Sequence, residues 1–73
     1  NTWKKSEDEY RLIAEMIELR KQKGISQTQL ARTIGNRQQV ISRIEKKENS
    51  PSLKMFCCIL DSLGYELKIV KKN

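Results

Sequence analysis

Apolar residues recur at helical spacing in four stretches of this chain, and near its end they recur at a spacing of two. In the first stretch Leu12 or Ile13, Met16, Ile17 and Leu19 line one side of a helix. Ser6-Glu7-Asp8-Glu9 has the form of a capping box, in which the Ser6 hydroxyl takes an orphan amide and Glu9 reaches back. Arg20, Lys21 and Lys23 close this helix and Gly24 ends it. Ser26 caps a second helix, Gln27 to Ile34, with Leu30, Ala31 and Ile34 inward. Gly35 marks the break, where glycine takes a left-handed backbone at little cost. A third helix opens at Asn36 or Arg37 and runs to about Lys46, with Val40, Ile41 and Ile44 inward. After the polar loop 47–50, a fourth starts with Ser52 as its cap or Pro51 in its first turn. It buries Leu53, Phe56, Ile59, Leu60 and Leu63, turns Asp61 and Ser62 outward, and stops at Gly64.

The end of the chain changes period. In Tyr65 to Lys72, Leu67 and Ile69 fall on one side and Glu66 and Lys68 on the other, with Val70 interrupting the polar side. That alternation reads as a strand. No second strand pattern exists in the chain to pair with it, and an unpaired apolar edge is what folded proteins avoid. Pairing with the same strand of a second copy across a two-fold axis resolves this, with Leu67, Ile69 and Val70 at the dimer contact. The alternative is an irregular tail lying on its own core. The expected organisation is a lead-in over 1–5, flexible, a helical domain over 6–64 and a dimerisation strand over 65–73. The fold class is therefore all-α, four helices with one short C-terminal β-strand.

The two middle helices, Ile25 to Glu45, have the form of a helix-turn-helix. Arg37, Gln38, Gln39, Ser42 and Arg43 lie between the apolar positions of the second of them, and all can hydrogen-bond base edges or phosphates. Charge reinforces this. Residues 1–19 carry three basic and five acidic side chains, residues 20–47 eight basic against Glu45 alone, and residues 48–73 four basic and three acidic. The positive charge thus sits on the helix-turn-helix and its edges, including Lys46 and Lys47, as in a binder of polyanions. Trp3 and Tyr10 read as packing or partner-surface residues rather than base stackers.

Other classes fall away. Seventy-three residues suit one small core but not a deep catalytic pocket. With no histidine, no Ser or Cys beside a base, no carboxylate pair set to share a proton and no glycine-rich phosphate loop, no catalytic residue is expected. Two cysteines without histidine make no metal site, and no cofactor is implied. Cys57 and Cys58 point about 100° apart around a helix and read as reduced thiols, with a redox sensor as the alternative. No run of apolar residues is long enough for a membrane span, and no basic-then-apolar leader is present, so a cytoplasmic location is expected. The chain opens on Asn1 rather than Met, which implies further residues ahead of it.

The ordered set Leu19-Arg20, Gly24-Ile25-Ser26-Gln27, Leu30-Ala31, Ile34-Gly35, Ile41-Ser42-Arg43-Ile44-Glu45, Asn49-Ser50-Pro51-Ser52-Leu53 and Leu63-Gly64 resembles the Xre/Cro family of helix-turn-helix regulators. The resemblance covers Met16 to Tyr65 and implies a lambda-repressor-like domain. The strand after Tyr65 is similar to the HipB-like antitoxins, in which a C-terminal strand pairs between subunits. By resemblance, Gln27 contacts a phosphate and braces a side chain of the recognition helix. Gln38 and Gln39 match positions that reach base edges, flanked by Arg37 and Val40. A glutamine amide suits adenine, and Val40 could press on a thymine methyl. Arg43 reaches a phosphate or a guanine. Arg20 and Glu45 match a pair that ties the first helix to the end of the third, the alternative being an Arg20 contact to phosphate. Two departures stand out. Lys46-Lys47-Glu48 replaces a turn that often holds glycine, and Arg37 stands where a Ser or Thr cap is usual, leaving Asn36 as the cap.

The expected function is a homodimeric, sequence-specific repressor on double-stranded DNA, reading an inverted repeat. Met55, Cys57 and Cys58 are either additional dimer contacts or core filler. The alternative is an antitoxin that neutralises a protein toxin and regulates its own operon.

Overall fold

The computed structural model describes residues 7–72. Four helices follow one another, α1 (Glu7–Gln22), α2 (Gln27–Thr33), α3 (Gln38–Glu45) and α4 (Leu53–Ser62). Ser6 and Trp3 lie outside the described residues. Acids Glu7, Asp8 and Glu9 stand in the first turn of α1 and Arg20 and Lys21 in its last, each at the end of the helix dipole that favours its sign.

All four helices end the same way. The amide just past each helix bonds back three residues and the next amide bonds back five, as in Gly35 N–H to Arg32 O at 3.2 Å and Asn36 N–H to Ala31 O at 2.8 Å. This double closure places one residue in the left-handed region. Three of the four such residues are glycines. The fourth is Lys47, at φ 64°, in the turn the sequence marked as lacking glycine. An L-residue there costs about 1–2 kcal/mol. The Lys47 ammonium stands 5.2 Å from the centre of the Tyr10 ring, a contact that offsets part of this strain.

The starts of the helices differ. Ser26 and Gln29 form a reciprocal capping box on α2, and the Ser52 hydroxyl accepts from Met55 N–H at 3.0 Å on α4. Ser52 is thus the cap, and Pro51 precedes it. At α3 the cap position is Arg37, whose side chain makes no capping bond. The Asn36 side chain accepts instead from Arg37 N–H at 2.8 Å, so it holds the turn rather than capping the helix.

Ile13 and Met16 of α1, Leu30 and Ala31 of α2, Ile41 and Ile44 of α3, and Phe56, Ile59, Leu60 and Leu63 at α4 form one core. Of the ambiguous pair in the first stretch, Ile13 is the buried one. Leu53, expected in the core, is 71% exposed. As the first residue of α4 it precedes the turn that meets α2, so the apolar stripe begins at Phe56. Cys57 and Cys58 are free and exposed, and Met55 packs against the core from its edge. Residues 65–72 form neither helix nor strand within this chain, consistent with the absence of a second strand pattern.

Candidate nucleic-acid interface

α3 packs against α1 and α2 through Ile41 and Ile44, which leaves one side of it in solvent. Gln39, Arg43 and Lys46 are exposed along that side at helical spacing. Gln38 and Ser42 flank the stripe, half-buried. On the other flank Arg37 is exposed, and Val40 is half-buried against the core with only its outer edge accessible.

Behind the stripe runs a chain of polar bonds. Arg20 Nε donates to Glu45 Oε2 at 2.7 Å and Nη2 donates to Glu45 Oε1 at 2.9 Å, while Nη1 donates to the Ile25 carbonyl at 2.8 Å. The guanidinium thereby ties the end of α3 to the end of α1 and to the turn before α2. Both side chains are nearly covered, at 9% and 7% exposure. Gln27 Nε2 then donates to Glu45 Oε1 at 2.8 Å, and Gln38 Nε2 donates to Gln27 Oε1 at 2.6 Å.

The direction of this relay follows from chemistry. A guanidinium only donates and a carboxylate only accepts. Gln27 must therefore turn its NH₂ toward Glu45, which leaves its oxygen toward Gln38. Gln38 must in turn donate. One N–H and the oxygen of Gln38 remain, the donor and acceptor that adenine N7 and N6 require. A buried ion pair thus fixes which way a half-buried glutamine faces. Arg20 and Glu45 stand as the sequence expected, and the Gln27 side chain is engaged at both ends. The Gln27–Glu45 bond was not foreseen; the only signal for it was the spacing that places both beside Arg20.

Because Glu45 is spent on Arg20, the exposed charges of the 20–47 unit are all positive, comprising Lys21, Lys23, Arg32, Arg37, Arg43, Lys46 and Lys47. The Ser50 hydroxyl donates to Glu9, so the loop after α3 is fastened to α1.

The helix-turn-helix family profile matches residues 16–70, most of the chain. The chain belongs to the helix-turn-helix family. Its relatives include an "Uncharacterized HTH-type transcriptional regulator" of Haemophilus influenzae, 46% identical over 59 residues that cover 81% of this chain. The match spans 60% of that relative's length. Among solved structures, the fold is similar to a HipB-O1-O2 complex, with a TM-score of 0.80 and 30% identity, covering 94% of this chain and all of the other. A HipA-HipB-O2-O3 complex matches with a TM-score of 0.82, again at 30% identity, over 97% of this chain and all of the other. A toxin-antitoxin module from Streptococcus pneumoniae matches at 40% identity and a TM-score of 0.70, over 86% of this chain and 69% of the other. No helix among the described residues is long and apolar enough to cross a membrane.

Proposed function

We propose that this helix-turn-helix protein is a transcriptional repressor of the cytoplasm that binds double-stranded DNA as a homodimer. The observation that carries this is the exposed stripe of Gln39, Arg43 and Lys46 on α3, backed by the relay that orients Gln38 and surrounded by exposed positive charge. Gln38 and Gln39 read base edges. Arg43 contacts a phosphate or a guanine, and Val40 touches a thymine methyl with its exposed edge. Arg37, Ser42, Lys46 and Lys47 hold the backbone. Gln27 supports Gln38 through its side chain and offers its remaining N–H to a phosphate. Pairing of residues 65–72 between copies sets two recognition helices about 34 Å apart, one turn of DNA.

A second reading is favoured by the likeness to the toxin-antitoxin module and to the HipA-HipB-O2-O3 complex. In it the protein also neutralises a protein toxin, and DNA binding serves autoregulation. The two are compatible.

Selection of bound duplexes from a random library at near-physiological salt tests the main reading. An enriched inverted repeat with half-sites one turn apart is the expected result. Enrichment of no sequence, with binding that vanishes as salt rises, would reduce α3 to a nonspecific basic surface.

A further inference from the structure

The two methionines of the chain stand in different settings. Met16 is sealed in the core. Met55, in the first turn of α4, is half-buried and packs on the core only from its edge. Its side chain lines a solvent-open hollow of about 340 Å³, walled by Val40 and Ile44 of α3 and by the loop 49–52. Its sulfur also accepts from Asn36 Nδ2 at 3.8 Å. The oxygen of the same Asn36 side chain accepts from Arg37 N–H at 2.8 Å. One amide thus joins the thioether of α4 to the turn from which α3 starts, and the thioether lies beside the flank of α3 that carries Val40.

We propose that Met55 is an oxidation site through which hydroperoxides, hydrogen peroxide being the simplest, weaken DNA binding. This rests on the reading that α3 enters DNA. In the step, a sulfur lone pair attacks one peroxide oxygen, the O–O bond breaks and an S–O bond forms. The other oxygen takes up the remaining proton and leaves as water. The sulfur loses two electrons to the peroxide, and the product is the sulfoxide. Access selects the position, since oxidation follows exposure. The core gives peroxide no path to Met16, whereas the hollow brings solvent to Met55.

The consequence follows from the change in hydrogen bonding. A thioether sulfur is a weak acceptor, so the present contact restrains Asn36 little. A sulfoxide oxygen is a strong acceptor, and Asn36 Nδ2 is the donor within its reach. To bond Nδ2 at about 2.9 Å where the sulfur now stands 3.8 Å away, the oxygen re-aims the amide that also holds Arg37 N–H. The same oxygen sets a polar group against Val40 and Ile44. Both effects fall on the first turns of α3, where Arg37, Gln38 and Val40 meet DNA.

Peroxide treatment tests the site. In a background of Cys57→Ser and Cys58→Ser, which removes the exposed thiols, the full chain is exposed to hydrogen peroxide. Peptide mass spectrometry locates the added oxygen, and fluorescence anisotropy measures affinity for a duplex taken from the library selection. Met55 should gain one oxygen before Met16 does, and affinity should fall about tenfold, the size of a lost base contact. Methionine sulfoxide reductase should restore it. Met55→Leu, which conserves core volume, should bind as the parent does and keep its affinity after the same treatment. Oxidation of Met16 as early as Met55 would show that the fold does not select the site. Unchanged affinity once Met55 is oxidised, or an equal loss in Met55→Leu, would overturn the proposal and leave α3 as the reading helix. A reduced protein for which selection yields no duplex would overturn the α3 reading and the proposal with it.

Discussion

Replacing Glu45 by glutamine puts the relay to its hardest test. The carboxylate accepts three hydrogen bonds, two from Arg20 at 2.7 and 2.9 Å and one from Gln27 at 2.8 Å. A glutamine of the same shape can keep its oxygen toward only part of this set, and its NH₂ must then face another donor. The Arg20 guanidinium would be left covered and without its counter-charge, keeping the Ile25 carbonyl and one bond to the amide oxygen while its other N–H faces the NH₂. Removing one partner of a buried ion pair costs about 3–5 kcal/mol. We expect about 3 kcal/mol, because the Ile25 bond and the nearby surface relieve part of the penalty. In a domain of this size that corresponds to a fall in Tm of about 12–24 °C, read by circular dichroism during thermal unfolding. The companion variant replaces both members with apolar residues, Arg20→Met with Glu45→Leu. Once the unpaired charge is gone, most of the loss should return, since apolar substitutes for buried pairs are often neutral. A Glu45→Gln loss below about 1 kcal/mol would show that the pair anchors nothing. A double variant as unstable as the single one would show that lost packing, not an uncompensated charge, is responsible.

The remaining expectations are narrower. Gln39→Ala should weaken specific DNA binding by about 1–3 kcal/mol and relax one base position, measured by fluorescence anisotropy on operator variants; equal weakening on every variant would remove Gln39 from base reading. Lys46→Ala should lower affinity for all sequences and reduce the salt slope by about one, and an unchanged slope would take it out of the backbone contacts. Lys47→Gly and Lys47→Ala both remove the ammonium over Tyr10 but differ at the left-handed φ of 64°. The glycine variant should be more stable by about 1 kcal/mol in urea titration, and the reverse order would contradict the left-handed turn. Deleting residues 66–73 should give monomers in sedimentation velocity, whereas a persistent dimer would place the interface elsewhere.

Much of this molecule is decided by local rules that act within a few residues. Helical periodicity set the four helices, Ser26 and Ser52 fixed two of their starts, and Gly24, Gly35 and Gly64 marked three of their ends. The uniform sign of charge over 20–47 needed no structure either, since it depends on residue identity alone. Positions at the edges of elements were less legible. Leu53 satisfies the apolar period of α4 but precedes the turn that packs on α2, and only tertiary contact distinguishes the two situations. Lys47 takes a backbone that local preference disfavours, because the double hydrogen bond closing α3 and the Tyr10 ring of α1 hold it there. The Arg20–Glu45 pair was suggested by resemblance, but its consequence was not. Residues 20, 27, 38 and 45 lie on three helices, and whether their donors and acceptors align in one direction depends on how those helices cross. Sequence therefore determined which side chains could recognise DNA. Packing decided which of them are aimed, because a hydrogen bond across helices exists only where the core has brought their surfaces within about 3 Å.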